Sequence, residues 1–251
     1  MRPDGLVQAS TPVMDRLLAA GAHTLTAQTV MPSMTLPCHT SLFLSVRPSR
    51  HGITPNVWTP QVRPIPGLFD VLQNARLTPA FFYNWEELRD LGRPGALNAS
   101  FMVKDSTGDG TADTAVAQLA AHWLAHNPFN FAFIYLGGTD IAGHAWGWMS
   151  DGYLQAISHA DRCIGTVVDA LPPDCTILVT SDHGGHEQMH GTDCPEDMTT
   201  PLLLAGPGIP AGISLTQPVQ ITDIAPTIAH FFGVPAPQEW IGQPIQAAFA
   251  A

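Results

Sequence analysis

Short apolar segments, several of which run into glycine, recur along this chain, and they alternate with helical patterns. Four of them have the length and the aromatic and β-branched content of buried strands: LTPAFFYNW, FNFAFIYLGG, CTILVTSDHGG and TTPLLLAGPGI. Helical periodicity or helix start signals mark TPVMDRLLAAGA, GLFDVLQNA, DGTADTAVAQLAAHWLAH, DGYLQAISHADRCIGTVVDAL and DIAPTIAHFFGV. This alternation predicts an α/β fold, in which helices cover both faces of a mainly parallel central sheet.

Composition narrows the class of protein further. The 251 residues are 45% hydrophobic, enough to bury a sizeable core, and we predict one domain over residues 1–251. No apolar run approaches the roughly 18 residues of a membrane span, so we predict no membrane span. The net charge of -11 disfavours binding to duplex nucleic acid.

No pattern indicates an oligomeric state. No signal peptide is visible, which predicts a cytoplasmic location for the chain as given; a signal encoded upstream stays open.

The cysteines do not indicate a disulfide framework. They are scattered without a CxxC pair, and we interpret them as free thiols; they are Cys38, Cys163, Cys175 and Cys194.

Two predicted strands end in residues that could bind a metal. Asp140 and His144 follow FAFIYLGG at a spacing of four, so they could meet on one side of a helical turn or compact loop. A lone pair of this kind is more often a surface pair than a ligand pair. A second polar cluster after the strand CTILVT makes a metal site the better interpretation, and zinc suits such ligands, with manganese or iron as alternatives.

That second cluster holds Asp182, His183, His186 and His190 within nine residues. Adjacent strand residues face opposite ways, so Asp182 and His183 can share a metal only where the strand ends. The glycines at 184–185 allow the sharp turn that this requires.

Thr35 precedes LPCHTSLFLS, in which Pro37 suits a first helical turn. The sequence therefore predicts Thr35 at a helix N-terminus, where free amide groups attract anions. Thr35 by itself could be a simple helix cap. Beside divalent cations its hydroxyl would have a lowered pKa and could act as a nucleophile on a phosphoryl group.

Together these motifs resemble the alkaline phosphatase superfamily, and most closely its nucleotide pyrophosphatase and phosphodiesterase branch. The segments MTLPCHTSLFLSVRPSRHGITPN, TDIAGHAWG, TSDHGGHEQMHGT, PLLLAGPGI and DIAPTIAHFFGVP occur in the family's order. The resemblance implies a metal-dependent phosphoric ester hydrolase that uses two divalent metal ions, zinc being the expected ion, and a phosphothreonine intermediate. Its expected partner is a small phosphoester substrate.

By the resemblance, Asp140, His144 and His190 are ligands of the metal that activates the water molecule. His186 is the alternative to His190 as the third ligand of this metal, and the HGT sequence around His190 favours His190.

The resemblance assigns the second metal to Asp182, His183 and the nucleophile Thr35. Asn56 matches an asparagine that donates a hydrogen bond to a phosphoryl oxygen. His39 and His51 match no ligand and are expected to have structural or supporting roles. Four further candidates for specificity, as easily explained by packing, are Trp58, Trp85, Trp146 and Trp148.

The chain departs from the family pattern in three places. Cys38 stands where the family has asparagine, and the sulfatase signature is absent from TLPCHTS. The family also begins with an apolar strand that ends in Asp-Gly, and counting back from Thr35 places that aspartate before Met1. We therefore expect that Asp4 is not the missing ligand, that Met1 is internal to a longer protein, and that the second metal site is impaired here.

Two other functions stay open on the sequence. Related sites accept several tetrahedral anions, so a phosphonate or sulfate ester hydrolase is the first alternative. The second is a truncated, inactive protein that binds a metal or an anion.

Overall fold

A computed structural model describes residues 1–93, 95–105 and 109–249 as an α/β structure with two sheets. The strands are β1 (Ala22–Gln28), β2 (Pro79–Tyr83), β3 (Ala99–Met102), β4 (Phe131–Ile134), β5 (Ile177–Thr180), β6 (Thr199–Ala205) and β7 (Ile213–Ser214). The helices are α1 (Pro3–Gln8), α2 (Pro12–Ala20), α3 (Thr35–Leu44), α4 (Pro48–His51), α5 (Leu68–Asn74), α6 (Ala112–His126), α7 (Gly138–Trp146), α8 (Asp151–Val168), α9 (Pro195–Met198) and α10 (Ile224–Phe231). Short 3-10 turns cover Glu86–Leu91, Ile221–Asp223 and Gln246–Ala248.

The two sheets differ in strand direction. One has the order β3-β2-β4, and all of its pairings are parallel. The other has the order β5-β6-β1-β7, in which β6 runs antiparallel to both β1 and β5. The predicted α/β class is confirmed, but the expectation of a mainly parallel sheet holds only for the three-stranded part.

The four predicted strands are confirmed as β2, β4, β5 and β6, and each predicted helix is present. Strand β1 was not predicted from its sequence, AHTLTAQ. Its polar residues, including His23 and Gln28, hide the apolar pattern that marks the other strands. It forms because β6 pairs with it along most of its length.

Helices cover both faces of the sheets, as predicted. Phe131 and Phe133 of β4 pack in the core that contains α3, α5 and α10. Ala132 and Ile134, which alternate with them, pack in a second core with α6 and the end of α8. Since successive side chains on a strand point to opposite faces, the two groups of helices lie on opposite sides of β4.

Strands β4 and β5 position the polar residues. Each lies at the end of its sheet order, and each runs directly into one of the two polar clusters. Asp140 follows β4, and Asp182 follows β5. The carboxyl ends of these two strands therefore meet at one site, the position at which α/β sheets commonly bind ligands.

In the part of the chain that the structure describes, there is no helix of the length and apolar character that crossing a membrane would require.

Candidate metal centre and nucleophile

Asp140 and His144 lie one turn apart on α7, so the four-residue spacing is helical rather than a loop. The His144 Nε2 atom is 3.6 Å from Asp140 Oδ2. Residues four apart lie on the same face of a helix, which directs both side chains to the carboxyl end of β5.

The chain turns sharply after His183 because two glycines allow close packing there. A Cβ atom on Gly184 would lie 1.9 Å from the Glu196 carbonyl oxygen, and one on Gly185 would lie 2.2 Å from the Trp148 ring. The expected sharp turn is present. The reason for glycine is the close approach of neighbouring atoms, not a left-handed backbone conformation.

The structure brings the two polar clusters together. Asp140 Oδ1 lies 3.6 Å from His190 Nε2 and 4.0 Å from His183 Nε2. The His183 and His190 rings stack, with centroids 3.9 Å apart. One ligand atom from each of Asp140, His144 and His190 lies within 4.8 Å of the others.

The histidine rings are oriented by backbone carbonyl groups. Nδ1 of His144 is 2.9 Å from Gln188 O, Nδ1 of His183 is 2.8 Å from Gly184 O, and Nδ1 of His190 is 2.9 Å from Ser33 O. A carbonyl oxygen can only accept, so each Nδ1 carries the proton and donates it. Each Nε2 is left with a lone pair that faces the carboxylates, as in metal-binding histidines.

Two buried carboxylate oxygens support the same conclusion. Within the described residues, Asp140 Oδ1 and Asp182 Oδ2 have no hydrogen-bond partner. Burial alone would raise the pKa of Asp182, but the facing His183 and His39 rings and the Met1 amino group lower it overall. Buried, unpaired anionic oxygens beside imidazole lone pairs are the donor set that a divalent cation requires, so these residues fit a metal centre.

Thr35 is the first residue of α3 and is almost fully buried. Its Oγ1 lies 3.2 Å from His183 Nε2. Because His183 Nδ1 holds the ring proton, the Thr35 hydroxyl donates this hydrogen bond. The predicted helix start is confirmed, and it places the hydroxyl beside the carboxylates.

His39 connects Thr35 to the second carboxylate. It lies one turn after Thr35, and its Nδ1 is 2.8 Å from Thr35 O and 3.4 Å from Asp182 Oδ2. Burial lowers its pKa, so the ring is neutral near pH 7. Its position therefore agrees with the expected supporting role.

Asn56 approaches the same helix start from the following loop. Its Oδ1 accepts a hydrogen bond of 2.9 Å from the Leu36 amide group. With the oxygen held there, the side-chain NH₂ group is the part of Asn56 that can donate to an anion.

His186 lies in the same loop but turns to other partners. Its Nδ1 is 2.7 Å from Asp197 Oδ1 and 3.5 Å from Cys194 Sγ. The structure thus places His190, and not His186, with Asp140 and His144.

Two other candidate residues, Asp4 and His51, have their partners outside the two polar clusters. Asp4 is exposed and pairs with Arg2. His51 donates to Ser41 through Nε2 and accepts the Ile53 amide at Nδ1, and burial lowers its pKa to about 4. These contacts give His51 a structural role.

The Cys38 thiol points into the protein interior. Its Sγ accepts from the Thr29 hydroxyl at 3.1 Å and contacts the Val30 carbonyl. Burial raises the pKa of the thiol well above its usual range, so it stays protonated.

Of the four tryptophans, Trp148 contacts the site. Its ring packs edge-on against His144 and His190, with centroids 5.1 Å and 5.9 Å apart. Trp146 is 59% exposed, whereas Trp58 and Trp85 pack against the largest core. Trp148 is therefore the one of the four tryptophans that packs against the polar clusters.

Asp197 holds the ligand loop in place, and the sequence did not indicate this role. Its buried carboxylate accepts from His186 Nδ1 and from both the amide and the hydroxyl of Thr192. Its backbone carbonyl accepts from Gly184 N at 2.8 Å. Asp197 thus fixes both ends of the loop that carries His190.

A second support, also missed, lies at the start of α7. Asp113 of α6 is buried and accepts from the Gly138 amide and from Asn84 Nδ2, while Asn84 Oδ1 accepts from the Gly137 amide. A carboxylate at a helix N-terminus is favourable because the free amide groups there carry partial positive charge. Asp113 and Asn84 thereby anchor the helix that carries Asp140.

Comparison with known proteins places these features in a family. Residues 1–201 match the family described as type I phosphodiesterase / nucleotide pyrophosphatase. A 2,3-bisphosphoglycerate-independent phosphoglycerate mutase from Desulforudis audaxviator is 33% identical over 202 residues, which are 77% of this chain and 36% of the mutase. The mutase from Acaryochloris marina is 33% identical over 48% of this chain and 24% of its own length. The chain spans about a third or less of these curated relatives.

Solved structures share the fold. Inactive murine ectonucleotide pyrophosphatase/phosphodiesterase 5 in complex with AMP has a TM-score of 0.83 at 15% identity, covering 100% of this chain and 97% of that chain. A 2-O glycosaminoglycan sulfatase, BT1596, has a TM-score of 0.76 at 16% identity, covering 94% of this chain and 68% of that chain.

The buried Asp113 gives a test of the α7 anchor. Burial raises its pKa to about 6 from 3.8, so its contribution to the free energy of unfolding is largest at low pH and is lost as pH rises through about 6. The difference in free energy of unfolding between wild type and Asp113→Asn should therefore fall by roughly 2–3 kcal/mol from pH 4 to pH 7. Denaturant unfolding at several pH values measures it.

The matched control is Asp169→Asn, since Asp169 is an exposed residue at the end of α8. It removes a carboxylate that takes no part in the α7 anchor. An Asp113→Asn difference that changes with pH no more than the Asp169→Asn difference would contradict the assigned pKa.

Proposed function

Because the chain belongs to the type I phosphodiesterase / nucleotide pyrophosphatase family, we propose that it is a metal-dependent hydrolase of phosphoric esters that works through a phosphothreonine intermediate. The observation that carries the proposal is the position of the Thr35 hydroxyl, which donates to His183 Nε2 beside two buried, unpaired carboxylate oxygens. Family members and structural neighbours include phosphodiesterases, sulfatases and phosphoglycerate mutases, all of which act on tetrahedral anions.

The residues divide into two ligand sets. Asp140, His144 and His190 form the first, and Asp182, His183 and the Thr35 oxygen form the second. Carboxylate and imidazole ligands suit Zn²⁺, with Mn²⁺ or iron as alternatives. When bound, such cations lower the pKa of a neighbouring hydroxyl group and neutralise charge on phosphoryl oxygens.

The chain's own residues account for positioning in the proposed reaction. Thr35 Oγ1 attacks phosphorus and forms the O–P bond as the bond to the leaving oxygen breaks, and the proton lost from Oγ1 passes through solvent to the leaving oxygen. The Asn56 amide donates to a nonbridging oxygen on which negative charge grows. Water then attacks phosphorus, breaks the bond to Oγ1 and restores the Thr35 hydroxyl. His39 contacts both the Thr35 carbonyl and the Asp182 carboxylate, and so holds them in fixed relative positions during both steps.

The structural neighbours favour a nucleotide-like ester as substrate. The murine neighbour was solved in complex with AMP, and its inactive form carries a threonine-to-alanine substitution. Its likeness to this chain supports, at the level of the fold, a threonine nucleophile and a phosphodiester substrate. Sulfate or phosphonate ester hydrolysis is the alternative that the sulfatase neighbour favours.

Thr35→Ala tests the covalent mechanism. It should abolish turnover of bis-p-nitrophenyl phosphate, because the nucleophile is lost, while the protein stays folded, because the substitution removes only a hydroxyl and one methyl group. Thr35→Ser, which keeps the hydroxyl, should retain part of the rate. Near-wild-type turnover by Thr35→Ala would show that Thr35 is not the nucleophile.

The same assay identifies the ester class. Hydrolysis of p-nitrophenyl phosphate, p-nitrophenyl sulfate, a phosphonate monoester and 3-phosphoglycerate is compared with that of the diester. A preference for the sulfate would contradict the proposed function in favour of the sulfatase alternative, and no turnover of any ester would indicate an inactive binding protein.

Asn56→Ala tests the hydrogen bond to the phosphoryl oxygen. The substitution should cost about 2–4 kcal/mol of transition-state stabilisation, mostly in kcat, because the amide donates most strongly to the charge that develops during transfer. Rates at saturating and at low substrate separate kcat from KM. An effect confined to KM would assign Asn56 to substrate binding alone.

Metal content tests the two ligand sets independently of activity. After purification with zinc, elemental analysis should find one or two metal ions per chain, and the set of Asp140, His144 and His190 should retain its ion more tightly. His190→Ala should lower the metal content, whereas His122→Ala, a change of an exposed histidine on α6, should not. Less than about a tenth of an ion per chain in wild type would contradict the metal centre.

A further inference from the structure

A further cluster of candidate metal ligands lies outside the two ligand sets described above. Among the described residues, His186, Cys194 and Asp197 are the other group whose ligand atoms all lie within 4.8 Å of one another. All three side chains belong to the loop that carries His190 and to the short helix α9 that ends it. The proposed reaction gives none of them a place at the phosphoryl group.

Two side-chain atoms converge on one ring nitrogen of His186. Asp197 Oδ1 lies 2.7 Å from Nδ1, and Cys194 Sγ lies 3.5 Å from the same atom. A ring nitrogen carries at most one hydrogen, and the shorter contact, to the carboxylate, takes it. Hydrogen bonding to His186 therefore does not account for the position of the Cys194 sulfur atom.

The distances suit a tetrahedral metal ion between the three side chains. Zinc lies about 2.3 Å from sulfur and about 2.0–2.1 Å from imidazole nitrogen, so tetrahedral S and N ligands lie about 3.6 Å apart, close to the separation of Sγ and Nδ1. The Nδ1–Oδ1 separation would have to open to about 3.4 Å. The His186 side chain is 29% exposed and can rotate by that amount, whereas the Asp197 carboxylate is fully buried and fixed.

Thr192 orients the two anionic side chains. Its amide and its hydroxyl each lie 2.8 Å from Asp197 Oδ2, which turns the other oxygen, Oδ1, toward His186. The same hydroxyl lies 3.2 Å from Cys194 Sγ. Hydrogen bonds of this kind hold the ligands of metal sites in position, and a thiolate is stabilised by such a donor.

We propose that His186, Cys194 and Asp197 form a separate zinc-binding site, in which a water molecule is the fourth ligand. Thiolate, imidazole and carboxylate are all zinc ligands, and three protein ligands with one water form a common tetrahedral set. On binding, the Cys194 thiol gives its proton to solvent, and the imidazole proton lies on Nε2 instead of Nδ1. The ion links His186 to the end of the loop, and it comes in addition to those expected at the two ligand sets.

A titration with Co²⁺ separates this site from the other two. Thiolate complexes of Co²⁺ show a sulfur-to-metal charge-transfer band in the near ultraviolet, and neither of the other ligand sets contains sulfur. The whole chain, stripped of metal and with its thiols reduced, should develop this band to a limit of one Co²⁺ per chain. Cys194→Ser should abolish the band. His186→Ala should weaken the affinity read from it by at least about 10-fold, because even the loss of a supporting contact costs 10–100-fold.

The matched control is Cys175→Ser. Cys175, like Cys194, is a half-buried free thiol, but it belongs to no ligand group among the described residues. This variant should keep the band. A band that survives Cys194→Ser, or the absence of a band in wild type, would overturn the proposal. A band that requires Cys194 but keeps its affinity in His186→Ala would show binding by the thiol without the imidazole, and would also overturn it.

Alkylation of wild type gives a second measurement, which holds even if a variant fails to fold. Zn²⁺ should slow the reaction of Cys194 with iodoacetamide by at least about 10-fold, because the thiolate is the nucleophile and its lone pair is bound to the metal. The rate at Cys175 should not change, and peptide mass spectrometry follows the two thiols separately. Equal rates at Cys194 with and without Zn²⁺ would overturn the site. Neither measurement uses turnover, so failure here is distinct from failure of the proposed function.

Discussion

The site depends on three hydrogen bonds between imidazole rings and backbone carbonyl groups. His144, His183 and His190 each donate Nδ1–H to a carbonyl oxygen, and this fixes both the tautomer and the ring orientation. With the protons held on Nδ1, the three Nε2 lone pairs point toward Asp140 and Asp182. The metal-binding character, the hydrogen bond from Thr35 and the stacking of His183 on His190 all follow from that arrangement.

The carbonyl groups are in place because buried carboxylates hold the segments that carry them. Asp197 fixes the loop from Gly184 to Thr192, which supplies His190 and the carbonyls of Gly184 and Gln188. Asp113, with Asn84, anchors the first turn of α7, which carries Asp140. Neither Asp197 nor Asp113 reaches the site's ligand atoms. We expect substitution of Asp197 or Asp113 to displace the candidate ligands. Metal retention should therefore fall, and any loss of turnover should follow from that.

The fold is shared with related proteins, whereas some residues near Thr35 are specific to this chain. The solved phosphodiesterase and sulfatase structures share the fold of this chain, in which two strand ends meet. The threonine at the start of α3, with a protonated and buried thiol at Cys38 behind it, is the feature of this chain on which the proposed phosphoryl transfer to Thr35 rests. Strands β4 and β5, which lead into Asp140 and Asp182, each lie at the end of their sheet order in the described residues.

The local sequence determined the elements and the chemistry of the candidate residues. Apolar runs that end in glycine identified β4 and β5, the four-residue spacing put Asp140 and His144 on one face, and Pro37 placed Thr35 at a helix start, because each of these signals is local in the chain. Strand β1 escaped prediction because its pairing with β6, and not its own pattern, stabilises it.

Only the tertiary structure decided that His190 and not His186 meets Asp140. The choice depends on Asp197, seven residues beyond His190, because its carboxylate binds the His186 ring. The tertiary structure alone also decided the antiparallel direction of β6, because strand pairing depends on contacts between residues far apart in the sequence.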